Sequence, residues 1–205
     1  MEQLPRSPIP GPTGGAVVVT RPVTLAIQGG GAHGAFAWGV LDRLLEDGRL
    51  GIEAISATSA GAMNAAVLAS GLLEDGPEGA RRTLEGFGRG VSEASARSPL
   101  RPSPWDRLAG GGGLGLSPAF TLLDVMTRIF SPYELNPLGL NPLQAVLERS
   151  VDFPALRRAS PVMLFLSATN VRTGKMRVFE TREITAEAVM ASACLPQLFQ
   201  AVEID

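Results

Sequence analysis

The sequence has one cysteine, Cys194, one histidine, His33, and one lysine, Lys175, among 205 residues. One cysteine excludes an internal disulfide, which fits a reducing compartment. One histidine and one cysteine exclude zinc sites of the Cys/His type. No apolar run reaches the roughly 20 residues that a membrane-spanning helix needs. The first residues, MEQLPRSPIPGPTGG, are proline-rich and lack the basic-then-apolar order of a signal peptide. Residues 1–20 therefore read as a disordered lead-in, and the chain as cytoplasmic or peripheral to a membrane. The formal charge of −2 gives no basis for nucleic-acid binding.

What is present is globular. Apolar residues make up 45 % and charged residues 19 %, enough for one domain with a sizeable core. Residues 23–28 predict a short buried strand. Residues 34–47 predict a helix, with Phe36, Val40, Leu41, Leu44 and Leu45 on one apolar face and Gly48 as the stop. Trp38 shares the spacing of Leu41 and Leu45 and is expected to be buried. Residues 53–58 predict a second strand, and 60–71 a small-residue helix ended by Gly71. This strand–helix alternation is the pattern of a parallel α/β sheet. Downstream, 77–96 predicts a weaker helix interrupted by Gly86, Gly88 and Gly90. Residues 98–118 read as a long Pro/Gly loop, either a linker or a lid. Helices are expected at 118–131, 142–150 and 185–193. Strands are expected at 162–167, at 175–181 after a turn at Thr173-Gly174, and from Ala201 to Ile204. The methionines, including Met63, Met126, Met163, Met176 and Met190, read as core filler.

Two loops carry the chemistry. Gln28-Gly-Gly-Gly-Ala-His-Gly34 fits G-x-G-x-x-G letter for letter, the fingerprint of a dinucleotide site. That reading needs an acid at the end of the second strand. Glu53 opens that strand, and Thr58-Ser59 closes it. The segment Ala57-Thr-Ser-Ala-Gly61 resembles instead a nucleophile elbow, G-x-S-x-G, with alanine at its first position. Small residues at Ala57, Ala60 and Gly61 let strand and helix close on each other, and the helix that follows aims its positive end at Ser59. A lone serine before a helix is more often a cap. Both loops, however, lie at the carboxyl edge of neighbouring strands, so the amides of Gly29, Gly30 and Gly31 can face Ser59. A glycine turn that cradles a phosphate can equally hold an oxyanion. His33 lies inside the loop and reads as a loop residue, Lys175 as a solvated strand residue. An acid is then the natural base for Ser59. Cys194 reads as a packed small residue, lacking a cationic neighbour to lower its pKa.

Taken together, these residues resemble the patatin-like phospholipases, bacterial members most. The matches are Gly29–Gly34, Ala57–Gly61, Leu140-Asn-Pro-Leu143, Ala168-Thr-Asn-Val-Arg-Thr-Gly174 and Ala191-Ser-Ala-Cys-Leu-Pro196. The resemblance implies a three-layer α/β sandwich with a mostly parallel central sheet over residues 21–205. It implies a serine acyl hydrolase of lipid esters, with Ser59 as nucleophile in a Ser–Asp dyad and Gly29, Gly30 and Gly31 as oxyanion hole, supported by Gly34. It implies a lipid or phospholipid substrate, transient contact with a lipid surface, and no metal or organic cofactor. The apolar parts of residues 100–135 are the expected contact. The family's aspartate sits in an Asp-Gly-Gly or Asp-Gly-Ala, which these residues lack, so it is expected beyond Asp205. The alternatives are a non-catalytic lipid-binding or regulatory module and, less favoured, a dinucleotide-binding protein.

Overall fold

The computed structural model describes residues 21–96, 131–139, 141–196 and 198–204. The lead-in, the 98–118 loop, the 118–130 part of the next helix, Met126 and Asp205 lie outside them.

Strands β1 (Arg21–Ile27), β2 (Leu50–Ala57), β3 (Met163–Thr169) and β4 (Met176–Glu180) form one sheet in that order. The first three are parallel and β4 returns antiparallel beside β3. This is the mostly parallel α/β architecture expected. Between β1 and β2 runs α1 (Gly34–Asp47), preceded by a 3₁₀ turn at Gly31–His33. Between β2 and β3 run α2 (Ala60–Ala96), α3 (Pro132–Leu135), α4 (Pro142–Ser150) and α5 (Phe153–Ala159); α6 (Ala186–Ala193) follows β4.

Strand order 1-2-3 with right-handed crossovers puts the connecting helices on one face of the sheet. The burial follows. Ile55, Leu164, Leu166 and Phe179 are buried towards the helices, joined by the half-buried Leu25 and Ile27. On the other face Thr24, Ala26 and Ser56 are exposed. Met163 (53 %) and Met176 (69 %) are exposed there too, so these two are not core filler; Met63 and Met190 are.

The first part of α2 is buried on every side from Gly61 to Gly71, the signature of a central helix. Gly71 does not end it. A methyl group there would meet the backbone of Ala80 at 2.6 Å, so the glycine serves close packing. The break comes at Asp75–Gly76, which are non-helical, immediately before Pro77. Proline disfavours the helical conformation of the residue before it, which places the break there. Beyond it the helix runs unbroken to Ala96, with Gly88 against the Trp38 ring and Gly90 against Val146.

Gly48 ends α1 as expected, in the left-handed conformation. The buried stripe of α1 is Leu41 and Leu45, whereas Phe36 (78 %) and Val40 face outward. The expected apolar face is thus too wide by one row. Trp38 is half-buried against the core. Helix α5, not foreseen, starts at an Asp152 cap whose carboxylate accepts from the Ala155 amide. The expected strand at 201–204 is not one. Those residues carry no regular structure, although Val202 and Ile204 pack on the core. A strand needs a neighbour for its backbone groups, and this segment pairs with none of the four described strands.

Candidate active site at the carboxyl edge of the sheet

The register aligns Ile27 with Ala57, so β1 and β2 end together. Both following loops therefore emerge side by side. The Thr58 amide donates to the Ile27 carbonyl at 3.3 Å, and the Gly29 amide donates to Thr58 Oγ1 at 3.3 Å. Gly29 lies so close to Ser59 that a Cβ on it would stand 2.8 Å from the serine Cβ. A Cβ on Gly61 would stand 2.5 Å from the Ile27 carbonyl oxygen. Only glycine fits at either place, because the obstacle at Gly61 is backbone of the neighbouring strand and that at Gly29 is the Cβ of Ser59.

Ser59 itself has φ 53°, the one non-glycine residue at positive φ among the described residues. A side chain in that region costs roughly 1–2 kcal/mol, and such strain persists only where the surroundings enforce it. Three contacts enforce it here. The Ser59 carbonyl accepts from the Met63 amide at 3.2 Å, opening α2. The Thr58 carbonyl accepts from the Gly61 amide at 2.9 Å. The Ser59 amide donates to Ser192 Oγ at 2.8 Å, across 133 residues of sequence. Ser59 thus occupies the sharp strand-to-helix turn predicted from Ala57–Gly61, half-buried at the N-terminal end of α2.

The glycine loop is held from within. His33 is exposed, its Nδ1 lies 3.0 Å from the Gly30 carbonyl, and its amide donates to the same oxygen. His33 is therefore the loop residue it was read as. Gly34 lies against Ala60, and its carbonyl accepts from Asn64 Nδ2 at 2.9 Å. Of the three amides expected to form the cradle, that of Gly29 is engaged by Thr58. Those of Gly30 and Gly31 stand at the start of a helical turn, where amides lack intrahelical acceptors.

Two contributors were not foreseen. Asn64 is 4 % exposed and binds the start of α1 to α2. Its only sequence signal is a lone amide in the small-residue run Ala60–Gly71. Ser192 lies in the Ala191–Pro196 block, and its hydroxyl ties α6 to the elbow. Cys194, two residues on, is half-buried with Sγ near the carbonyl of Gln200, and burial pushes its thiol pKa up. That suits a packed residue, not a nucleophile. Lys175 is exposed on the β3–β4 hairpin. Glu53 does not open β2, which starts at Leu50; it is exposed in the middle of the strand, at the register shift between Ile52 and Ala54, so no acid closes that strand as a ribose site requires. Among the described residues no group of His, Cys, Asp and Glu is gathered as for a metal ion, and no helix is long and apolar enough to cross a membrane.

The family model of the patatin-like phospholipases matches residues 25–205, which takes in both loops and all of the sheet except the first four residues of β1. The chain belongs to that family. Matching solved structures include ExoU in complex with SpcU, from the type III secretion system of Pseudomonas aeruginosa. It is 22 % identical over 85 % of this chain and 36 % of that one, with a TM-score of 0.37. VipD from Legionella pneumophila is 16 % identical over 86 % of this chain and 43 % of that one, at 0.45. The chain thus spans less than half the length of these neighbours. No curated protein matches it.

Proposed function

We propose that this chain carries the nucleophile half of a serine acyl hydrolase acting on lipid esters. The observation that carries this reading is the strained backbone of Ser59, gripped between β2, α2 and Ser192 with a glycine loop against it. A cap serine needs no positive φ; N-caps sit in the extended region. A serine forced into that conformation at the end of a parallel strand is the arrangement that exposes a nucleophile.

Ser59 Oγ attacks the ester carbonyl, the alcohol leaves, and water releases the fatty acid from the acyl-enzyme. The amides of Gly30 and Gly31 receive the oxyanion, with that of Ala60 at the head of α2. Gly29 shapes the loop, since its own amide already serves Thr58. The partial positive charge at the start of α2 favours the same oxyanion. The proton of Ser59 goes to a carboxylate, which the family resemblance assigns to an Asp-Gly-Gly or Asp-Gly-Ala not found in these residues. Family membership supports a lipid ester as the substrate class and transient contact with a lipid surface as the way to reach it.

The test is hydrolysis of phospholipid vesicles by the full-length protein and by its Ser59→Ala variant. Fatty-acid release that disappears in the variant, with unchanged folding, supports the reading. Release that persists refutes it. A well-folded full-length protein that binds vesicles and releases nothing favours the non-catalytic lipid-binding module.

A further inference from the structure

The Ala168–Gly174 motif has no part in the mechanism above, yet its position is informative. Strand β3 pairs Leu166 with Ala57 and then continues through Ser167, Ala168 and Thr169. Three residues at about 3.3 Å each carry it roughly 10 Å past the end of β2, on the edge where Ser59 lies. There it turns back into β4. The turn is rigid. Asn170 Oδ1 accepts from the amides of Arg172 and Thr173, both at 3.0 Å, and the Asn170 backbone bonds with Lys175 and Gly174 at 2.9 and 2.8 Å.

This rigid tip presents Val171 (72 % exposed) and Met176 to solvent, flanked by Arg172 and Lys175. Neither cation has a salt-bridge partner among the described residues; Arg177, one residue further back, has Glu183 at 3.5 Å. No carboxylate lies between residues 167 and 179. Two more exposed apolar side chains share the edge: Phe36, in the first turn of α1, and Leu195, just past α6. Solvated cations interleaved with exposed apolar groups are the composition of a surface that enters the headgroup region of an anionic bilayer. A nucleic acid or an acidic protein would reward the cations alone.

We propose that the β3–β4 hairpin tip docks this domain onto anionic lipid, with Arg172 and Lys175 contacting headgroups and Val171 and Met176 inserted between them. Docked in this way, the edge that carries Ser59 faces the bilayer. The purpose of the docking rests on the lipid-ester reading, but binding is measured without turnover. Each cation near an anionic surface contributes about fivefold to partitioning, so two contribute about 25-fold.

The experiment is vesicle co-sedimentation of the full-length Ser59→Ala protein, which separates docking from hydrolysis. Vesicles of equal parts phosphatidylcholine and phosphatidylglycerol are compared with phosphatidylcholine alone. The expected result is preference for the anionic vesicles, cut about 25-fold by Arg172→Gln with Lys175→Gln, and cut less in high salt, where exposed charges are screened. Val171→Ser with Met176→Ser is expected to weaken binding in low and high salt alike. Both double variants are expected to retain the parent's thermal midpoint. Equal binding of the charge variant and its parent, or equal binding to both kinds of vesicle, overturns the proposal. Loss of hydrolysis in Ser59→Ala with no preference for anionic vesicles sinks the docking surface and leaves the active-site reading standing.

Discussion

The same substitution at two glycines of α2 is expected to have opposite effects. Gly61 and Gly86 both lie in helical backbone at negative φ, so propensity alone predicts that alanine stabilises each by up to about 1 kcal/mol. Their surroundings differ. A methyl group on Gly86 meets nothing within 4 Å, whereas one on Gly61 stands 2.5 Å from the Ile27 carbonyl oxygen and 3.0 Å from that of Gln28. Relief requires the end of β1 to retreat by nearly an ångström. The Ile27 carbonyl belongs to a strand held in register with β2 and that of Gln28 follows it directly, so neither can rotate away as a side chain would. Overpacking of this kind costs roughly 1–3 kcal/mol, and backbone against backbone belongs at the upper end. Gly61→Ala is therefore expected to lower stability by about 2–3 kcal/mol, a fall of roughly 5–10 °C in Tm for a chain of this size. Gly86→Ala is expected to raise Tm by about 2 °C. Thermal unfolding followed by circular dichroism reads both. Since the displaced strand end leads into the glycine loop, Gly61→Ala is also expected to slow fluorophosphonate labelling at least tenfold. A Gly61→Ala protein as stable as wild type, or one that changes in the same direction as Gly86→Ala, refutes the reasoning about the elbow.

Three further outcomes follow from the same geometry. Ser192→Ala removes the acceptor of the Ser59 amide and is expected to slow labelling of Ser59 roughly tenfold, with Ser192→Thr restoring most of the rate; a purely structural role would lower Tm without that rescue. Ser59→Gly relieves a positive-φ side chain and is expected to be about 0.5–1 kcal/mol more stable than Ser59→Ala in chemical denaturation, while equally inactive; equal stability of the two contradicts the assigned strain. Cys194, its thiol pKa raised by burial, is expected to react with iodoacetamide more slowly than free glutathione at pH 8 and to gain rate at higher pH; alkylation at the glutathione rate contradicts its burial.

Local signals made the parallel sheet and both loops legible in the sequence. Apolar strands ending in Gln28-Gly-Gly-Gly and Thr58-Ser59 place two turns on one edge, and the helices expected at 142–150 and 185–193 are present as Pro142–Ser150 and Ala186–Ala193. What escaped depended on partners distant in sequence. Gly71 reads as a stop until Ala80 is seen against it, and the actual break was written one turn later in Asp75-Gly76-Pro77. Phe36 and Val40 read as core because helical spacing does not say how wide a stripe the neighbours cover. Residues 201–204 have strand composition but pair with none of the described strands. Ser192 and Asn64 carry no local signature of their role; each acts through one hydrogen bond to an element elsewhere in the chain.

The central claim is that Ser59 is an activated nucleophile. It is tested most directly by treating the full-length protein with a fluorophosphonate and locating the adduct by peptide mass spectrometry. The account predicts a single adduct on Ser59, formed in step with loss of fatty-acid release and absent from Ser59→Ala. An adduct on another residue, or labelling that survives Ser59→Ala unchanged, would contradict it.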